Sequence, residues 1–93
     1  MMPKKTHIVK RKGHIERFDE RKVYASTYDA CRSCHMQRQE CEKIAAAVTT
    51  DVKRWVRTKT IVKSDAISRV VANSLRKKHK HAAFMYETHR DVS

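Results

Sequence analysis

Between Thr6 and Phe18 the apolar positions come in short groups divided by charge: Ile8 and Val9, then a basic stretch to Gly13-His14, then Ile15 and Phe18. Two short β-branched or aromatic runs around the one glycine of the chain predict a hairpin. Asp19 has the chemistry of a helix N-cap, and Glu20 falls where the positive end of a helix dipole favours an acid. From there the spacing becomes helical. Val23, Thr27, Ala30, Cys31 and Cys34 recur on one face and predict a helix from about 20 to 34. A polar break, His35 to Gln39, precedes the strongest stripe in the chain: Ile44, Ala47, Val48, Val52, Trp55 and Val56. Thr60 to Val62 predicts a third short strand, and Ser64-Asp65 opens a helix carrying Ile67, Val70, Val71, Ser74 and Leu75. The run Arg76 to His81 reads as a basic interruption. A last helix from about Ala82 to Arg90 would bury Ala83, Tyr86 and Met85. Strands first and helices after predict an α+β fold, with a short N-terminal β-hairpin or three-stranded sheet packed on a bundle of three or four helices.

Composition narrows the function. Ninety-three residues make one small domain, with material for a modest core but not for a core plus a buried catalytic cavity. Hydrophobic residues are 40% against roughly 45–50% in an average domain, and charged residues are 34% against about 25%. With 22 Lys+Arg and 10 Asp+Glu the net charge is +12, which points to anionic partners. One glycine and one proline exclude a Gly-rich phosphate loop and long flexible linkers. No apolar run approaches the ~20 residues of a membrane span. Met1-Met2-Pro3-Lys4-Lys5 is basic but lacks the apolar stretch of a secretory leader. Three cysteines, an odd number, predict free thiols in a reducing, cytoplasmic setting. The expected organisation is a basic tail over residues 1–5 and one domain over residues 6–90.

A hairpin running into a capped helix would bring Lys10 and Arg11 near the start of that helix, where backbone N–H groups and the dipole favour an anion. Lys22, one turn in, adds an ammonium that can reach the same phosphates. Glu16 and Asp19 are acceptors suited to an adenine amine or a ribose hydroxyl. As ordinary surface charges, these same residues would simply pair with one another. The run Ile8-Val9-Lys10-Arg11-Lys12-Gly13-His14-Ile15-Glu16-Arg17-Phe18-Asp19-Glu20-Arg21-Lys22-Val23 resembles the opening of an ATP-cone. That module regulates many ribonucleotide reductase large subunits and also occurs behind a zinc ribbon in the bacterial repressor of ribonucleotide reductase genes. Lys10, Arg11, Gly13, Glu16, Phe18, Asp19 and Lys22 stand in register with the family pattern. Lys12 replaces the usual acidic or amide residue, and Ile67 stands near the place of a histidine in some members. The resemblance implies a stand-alone allosteric domain that binds ATP, dATP or a related nucleotide, which Mg2+ could accompany. Its nucleotide contacts would be Lys10, Arg11, Glu16, Phe18, Asp19 and Lys22, and its response a change in association with itself or with a regulated partner.

Other constellations carry less. Cys31-Arg32-Ser33-Cys34-His35 has the spacing of covalent haem attachment, and Cys41 could complete a Cys₃His zinc set. Haem attachment requires export, and the predicted helix needs Cys31 and Cys34 on its apolar face, so small buried thiols are the better reading. The basic run Arg76 to His81 and Lys4-Lys5 support the alternative function, a basic nucleic-acid-binding protein such as a transcriptional regulator. Trp55 lies on the most apolar face and reads as core rather than as a base-stacking platform. There is no nucleophile elbow, no Walker A loop and no convincing carboxylate pair, so no residue is assigned a catalytic role. His14, His35, His79, His81 and His89 lie in polar surroundings and read as surface residues. Elemental analysis of the purified protein should accordingly find no stoichiometric zinc or iron, and chelators should leave the thermal midpoint unchanged. One zinc per chain would make ligands of Cys31, Cys34, His35 and Cys41.

Overall fold

The computed structural model describes residues 7–9 and 13–89, so the basic tail expected over 1–5 lies outside the described residues. Among those, three strands and four helices follow one another as β1 (His7–Val9), β2 (Ile15–Arg17), α1 (Glu20–Ser33), α2 (Arg38–Val56), β3 (Ile61–Lys63), α3 (Ser64–Lys78) and α4 (Lys80–His89). The fold is α+β. β1 is central, antiparallel to β2 and parallel to β3, so the expected hairpin becomes a three-stranded mixed sheet in the order β2-β1-β3. Gly13 has φ +76°, a left-handed conformation that other residues rarely adopt. An added Cβ there would meet nothing within 4 Å, so the position requires glycine for its torsion and not for space.

The helices pack in a ring: α1 on α2, α2 on α3, α3 on α4 and α4 on α1. α1 buries Val23, Thr27, Ala30 and Cys31, the face expected from spacing, while Cys34 falls at the C-cap and is only half-buried. α2 is turned from its expected face. It buries Cys41, Ala45, Val48, Thr49, Val52 and Val56, whereas Ile44, Ala47 and Trp55 are half-buried. The reason is the α1–α2 contact, where small side chains fit and Ile or Trp would hold the helices apart. α3 buries Ile67, Val71, Ala72, Ser74 and Leu75.

The turns between helices are made without glycine. α1 ends with His35 at φ 63°, whose N–H bonds to the Arg32 carbonyl at 2.9 Å, and Met36 N–H reaches the Cys31 carbonyl at 3.4 Å. Those two bonds are a Schellman closure, with a buried Met36 supplying the apolar contact. The basic run is not the interruption that its charge predicts. α3 continues to Lys78 and α4 begins at Lys80, because Lys and Arg are good helix formers and cations are favoured in a last turn. Only His79 breaks the path, and its Nδ1 accepts the Ala82 N–H at 3.1 Å as a side-chain cap of α4. None of the four helices is long and apolar enough to cross a membrane, the described residues alone being in question.

α2 and α3 are joined by a polar clasp. Asp51 accepts the Ser74 hydroxyl at 2.7 Å and the Lys78 ammonium at 3.1 Å. The Ser74 hydrogen bond first, and then Lys78, hold the Asp51 carboxyl below its ordinary value of 3.8. A depressed folded-state pKa contributes stability that is present in full well above 3.8 and lost as pH falls through the depressed value. Asp51→Asn should therefore cost about 1 kcal/mol at neutral pH, the worth of a charged hydrogen bond discounted for a partly solvated carboxylate. In melts across acid pH, the gap between variant and parent should close as the parent carboxylate protonates. A gap that stays constant down to pH ~2 would mean that the charge is not what matters.

Cys31 and Cys41 are fully buried where α1 meets α2, and the Cys41 thiol donates to the Met36 carbonyl at 3.7 Å. Burial, with the neighbouring Cys41 and Cys34 adding to it, pushes the Cys31 thiol up to about 12. Being fully buried, Cys31 and Cys41 should resist alkylation in the native protein, and half-buried Cys34 should label first. Mass spectrometry of a timed alkylation would check this, and all three labelling together without denaturant would contradict it.

Candidate nucleotide site

The site begins with the alternation of β2. Ile15 and Arg17 are exposed and Glu16 between them is half-buried. Glu16 pairs with Ile8, and Ile8 in turn with Val62 across the sheet. Val62 is buried and Ile8 packs on the core, so this row of the sheet looks inward and carries Glu16 with it. Phe18, also packed on the core, sets the turn from β2 into α1. Lys22, one turn into α1, donates its ammonium to Glu16 Oε1 at 3.2 Å, tying helix to strand.

Asp19 caps α1. Its extended backbone (φ −127°, ψ 108°) lets Oδ1 accept the Arg21 N–H at 3.0 Å. The Arg21 guanidinium grips the same carboxylate, Nε to Oδ1 at 3.1 Å and Nη2 to Oδ2 at 3.2 Å. These Arg21 bonds, side chain before backbone, hold the Asp19 carboxyl below its ordinary value. Of the residues named from the sequence, Glu16, Phe18, Asp19 and Lys22 thus meet at the end of β2 and the first turn of α1. Lys10 and Arg11 lie outside the described residues, between Val9 and Gly13. Arg21 is the participant that sequence reasoning missed. Its signal was an arginine two residues after a capping aspartate, in reach of the cap.

The arrangement offers an anion a helix N-terminus with an ammonium beside it, and offers an amine or hydroxyl the inward carboxylate of Glu16. Ile67 is buried on α3 and serves packing, so it offers the site no contact. A shallow concavity away from Glu16 and Lys22 lies between α1 and α2, lined by Glu20, Arg21, Tyr24, Ala46, Thr49, Thr50 and Lys53, with a volume near 290 Å³. That is at the small end for ligand pockets, and the Lys53 ammonium is already bound to Glu20 at 2.7 Å. Among the described residues no three His, Cys, Asp or Glu side chains are placed to hold a metal ion.

No curated protein matches the chain. A family model described as the ATP cone domain matches residues 6–91, a span that takes in every strand and helix. With a hairpin, a capped first helix and an inward glutamate all inside that span, the chain belongs to the ATP-cone domain family, a nucleotide-binding regulatory module rather than a catalytic one.

Proposed function

We propose that this cone binds ATP or dATP through Lys10, Arg11, Glu16, Phe18, Asp19 and Lys22, and that occupancy changes its association with itself or with a partner protein. The observation that carries the reading is the Glu16–Lys22 pair spanning β2 and α1. A triphosphate draws Lys22 toward its own oxygens, because a polyanion outcompetes a single carboxylate for an ammonium in a partly exposed site. Glu16 then turns an acceptor to the adenine amine or ribose hydroxyl, so phosphate recognition and base recognition exchange a shared partner. Asp19 and Arg21 keep the start of α1 fixed while this happens. The exchange also supplies what regulation requires, a ligand that favours one arrangement of strand and helix over another.

Isothermal titration with ATP, dATP, ADP, GTP and tripolyphosphate, with and without Mg2+, tests it. Lys10→Ala and Lys22→Ala should each weaken triphosphate binding by roughly 1.5–3 kcal/mol, the scale of a charge-assisted hydrogen bond. Lys43→Ala, on the exposed side of α2, should leave it unchanged. Glu16→Gln should retain tripolyphosphate affinity and narrow the preference for ATP over GTP. Sedimentation at fixed ionic strength should show a change in mass with ATP that tripolyphosphate does not reproduce. Equal losses at Lys10, Lys22 and Lys43 would mean that diffuse charge binds phosphate and that the site is misassigned.

A further inference from the structure

The basic run Arg76 to His81 plays no part in the nucleotide site, and the fold sorts its members. Lys78 turns back to Asp51, and Arg76 binds Asn73 on its own helix and Glu87 of α4. Lys77, Lys80 and His81 make no hydrogen bond or ion pair among the described residues, and Lys77, Lys80 and His81 are all exposed. Next to them α4 presents an unexpected face. Ala82, Ala83 and Tyr86 turn toward the core, which leaves Lys80, Phe84 and Thr88 as a column at i, i+4 and i+8 on the opposite side. Phe84 is 61% exposed, the most exposed large apolar side chain of the described residues.

A lone exposed ring is ordinary, but this one has company. Lys80 precedes it by one turn on the same face, and His81 is the other neighbour at helical spacing. Glu87, three residues on, holds Arg76 alongside and neutralises it, so Lys77 and Lys80 are the cations open to a ligand. Trp55 makes the contrast: half-buried, its ring is already covered by the Lys59 ammonium at 5.3 Å from the centroid. An aromatic face open to water with unpaired cations around it is the combination that holds a nucleic-acid strand, the ring stacking on a base and the ammonium groups on phosphates. A duplex hides its base faces, so the ring selects for single strands.

We propose that the corner between α3 and α4 binds single-stranded nucleic acid, with Phe84 stacked on a base and Lys77, Lys80 and His81 on the flanking phosphates. This site is separate from the nucleotide site and does not depend on it. Fluorescence anisotropy with a labelled oligothymidylate of about ten nucleotides, at about 0.15 M salt, tests the assignment. Phe84→Ala should weaken binding roughly 5- to 100-fold, while Phe84→Trp keeps it. Lys77→Ala and Lys80→Ala should each lower the slope of log affinity against log salt by about 0.7. Because Phe84 is exposed, the alanine variant should melt as the parent does and titrate with ATP unchanged, and Lys22→Ala should leave the oligonucleotide affinity intact. Undiminished binding by Phe84→Ala, a duplex of equal length binding as tightly as the single strand, or no binding at all would each overturn the proposal.

Discussion

α1 and α2 pack extensively on each other, and Cys31 lies beside Cys41 between them. Small side chains are prominent among those the two helices bury: Thr27, Ala30 and Cys31 on one, Cys41, Ala45 and Thr49 on the other. Small contacts let two helices lie close, and this closeness sets the rest of the structure. It brings Lys53 near the end of α2 to Glu20 at the start of α1. The turn between the two helices closes through His35 at positive φ. The closeness also leaves the hydroxyls of Thr27 and Thr49 buried without a hydrogen-bond partner, a polar cost in an otherwise apolar seam. The bulkier Ile44 and Trp55 are turned toward the margins as a result.

Charge is handled by the same economy. Glu16, Asp19, Glu20, Asp51 and Glu87 each hold a cation, and these pairs join strand to helix, helix to helix, and cap to first turn. Each pair is partly exposed and individually weak. Their larger effect is to decide which cations remain available. Lys22 is held lightly by Glu16, Lys78 is taken up between helices, and Lys77 and Lys80 are left to the solvent. A net charge of +12 is therefore not spread evenly in its consequences.

Much of this was legible because local rules and tertiary demands agreed. Gly13 and the flanking β-branched residues gave the hairpin, Asp19 the start of α1, and the period of Val23, Thr27, Ala30 and Cys31 its buried face. The third strand was placed one residue early, at Thr60 to Val62 instead of Ile61–Lys63, because β-branching does not distinguish Thr60 from its neighbours. The face of α2 is less legible, because Cys41, Ala45 and Thr49 are small or polar and do not stand out as core residues beside Ile44 and Trp55. His79 was read as surface, since nothing in one sequence says that a ring nitrogen will cap the next helix. That Glu16 and Asp19 would lie close together where the sheet runs into α1 follows from the turn-and-cap pattern. The grip of Arg21 on Asp19 depends on a side-chain conformation, which spacing alone does not encode.

The parallel pairing of β1 with β3 has a consequence for the order in which the chain folds. His7 meets Ile61 across the whole of α1 and α2, so β3 cannot dock until those helices have formed and folded back. The antiparallel partner of β1 is near in sequence, but two strands of three residues each have little stability alone. The pairing of the sheet therefore depends on the helices that separate its strands, and closing so long a loop is entropically costly. The residues proposed to meet the nucleotide span the boundary between the two, with Glu16 on the sheet and Lys22 on the helix. A ligand bound between them would slow the opening of the sheet, so the module can report occupancy through the lifetime of its closed state as well as through its shape.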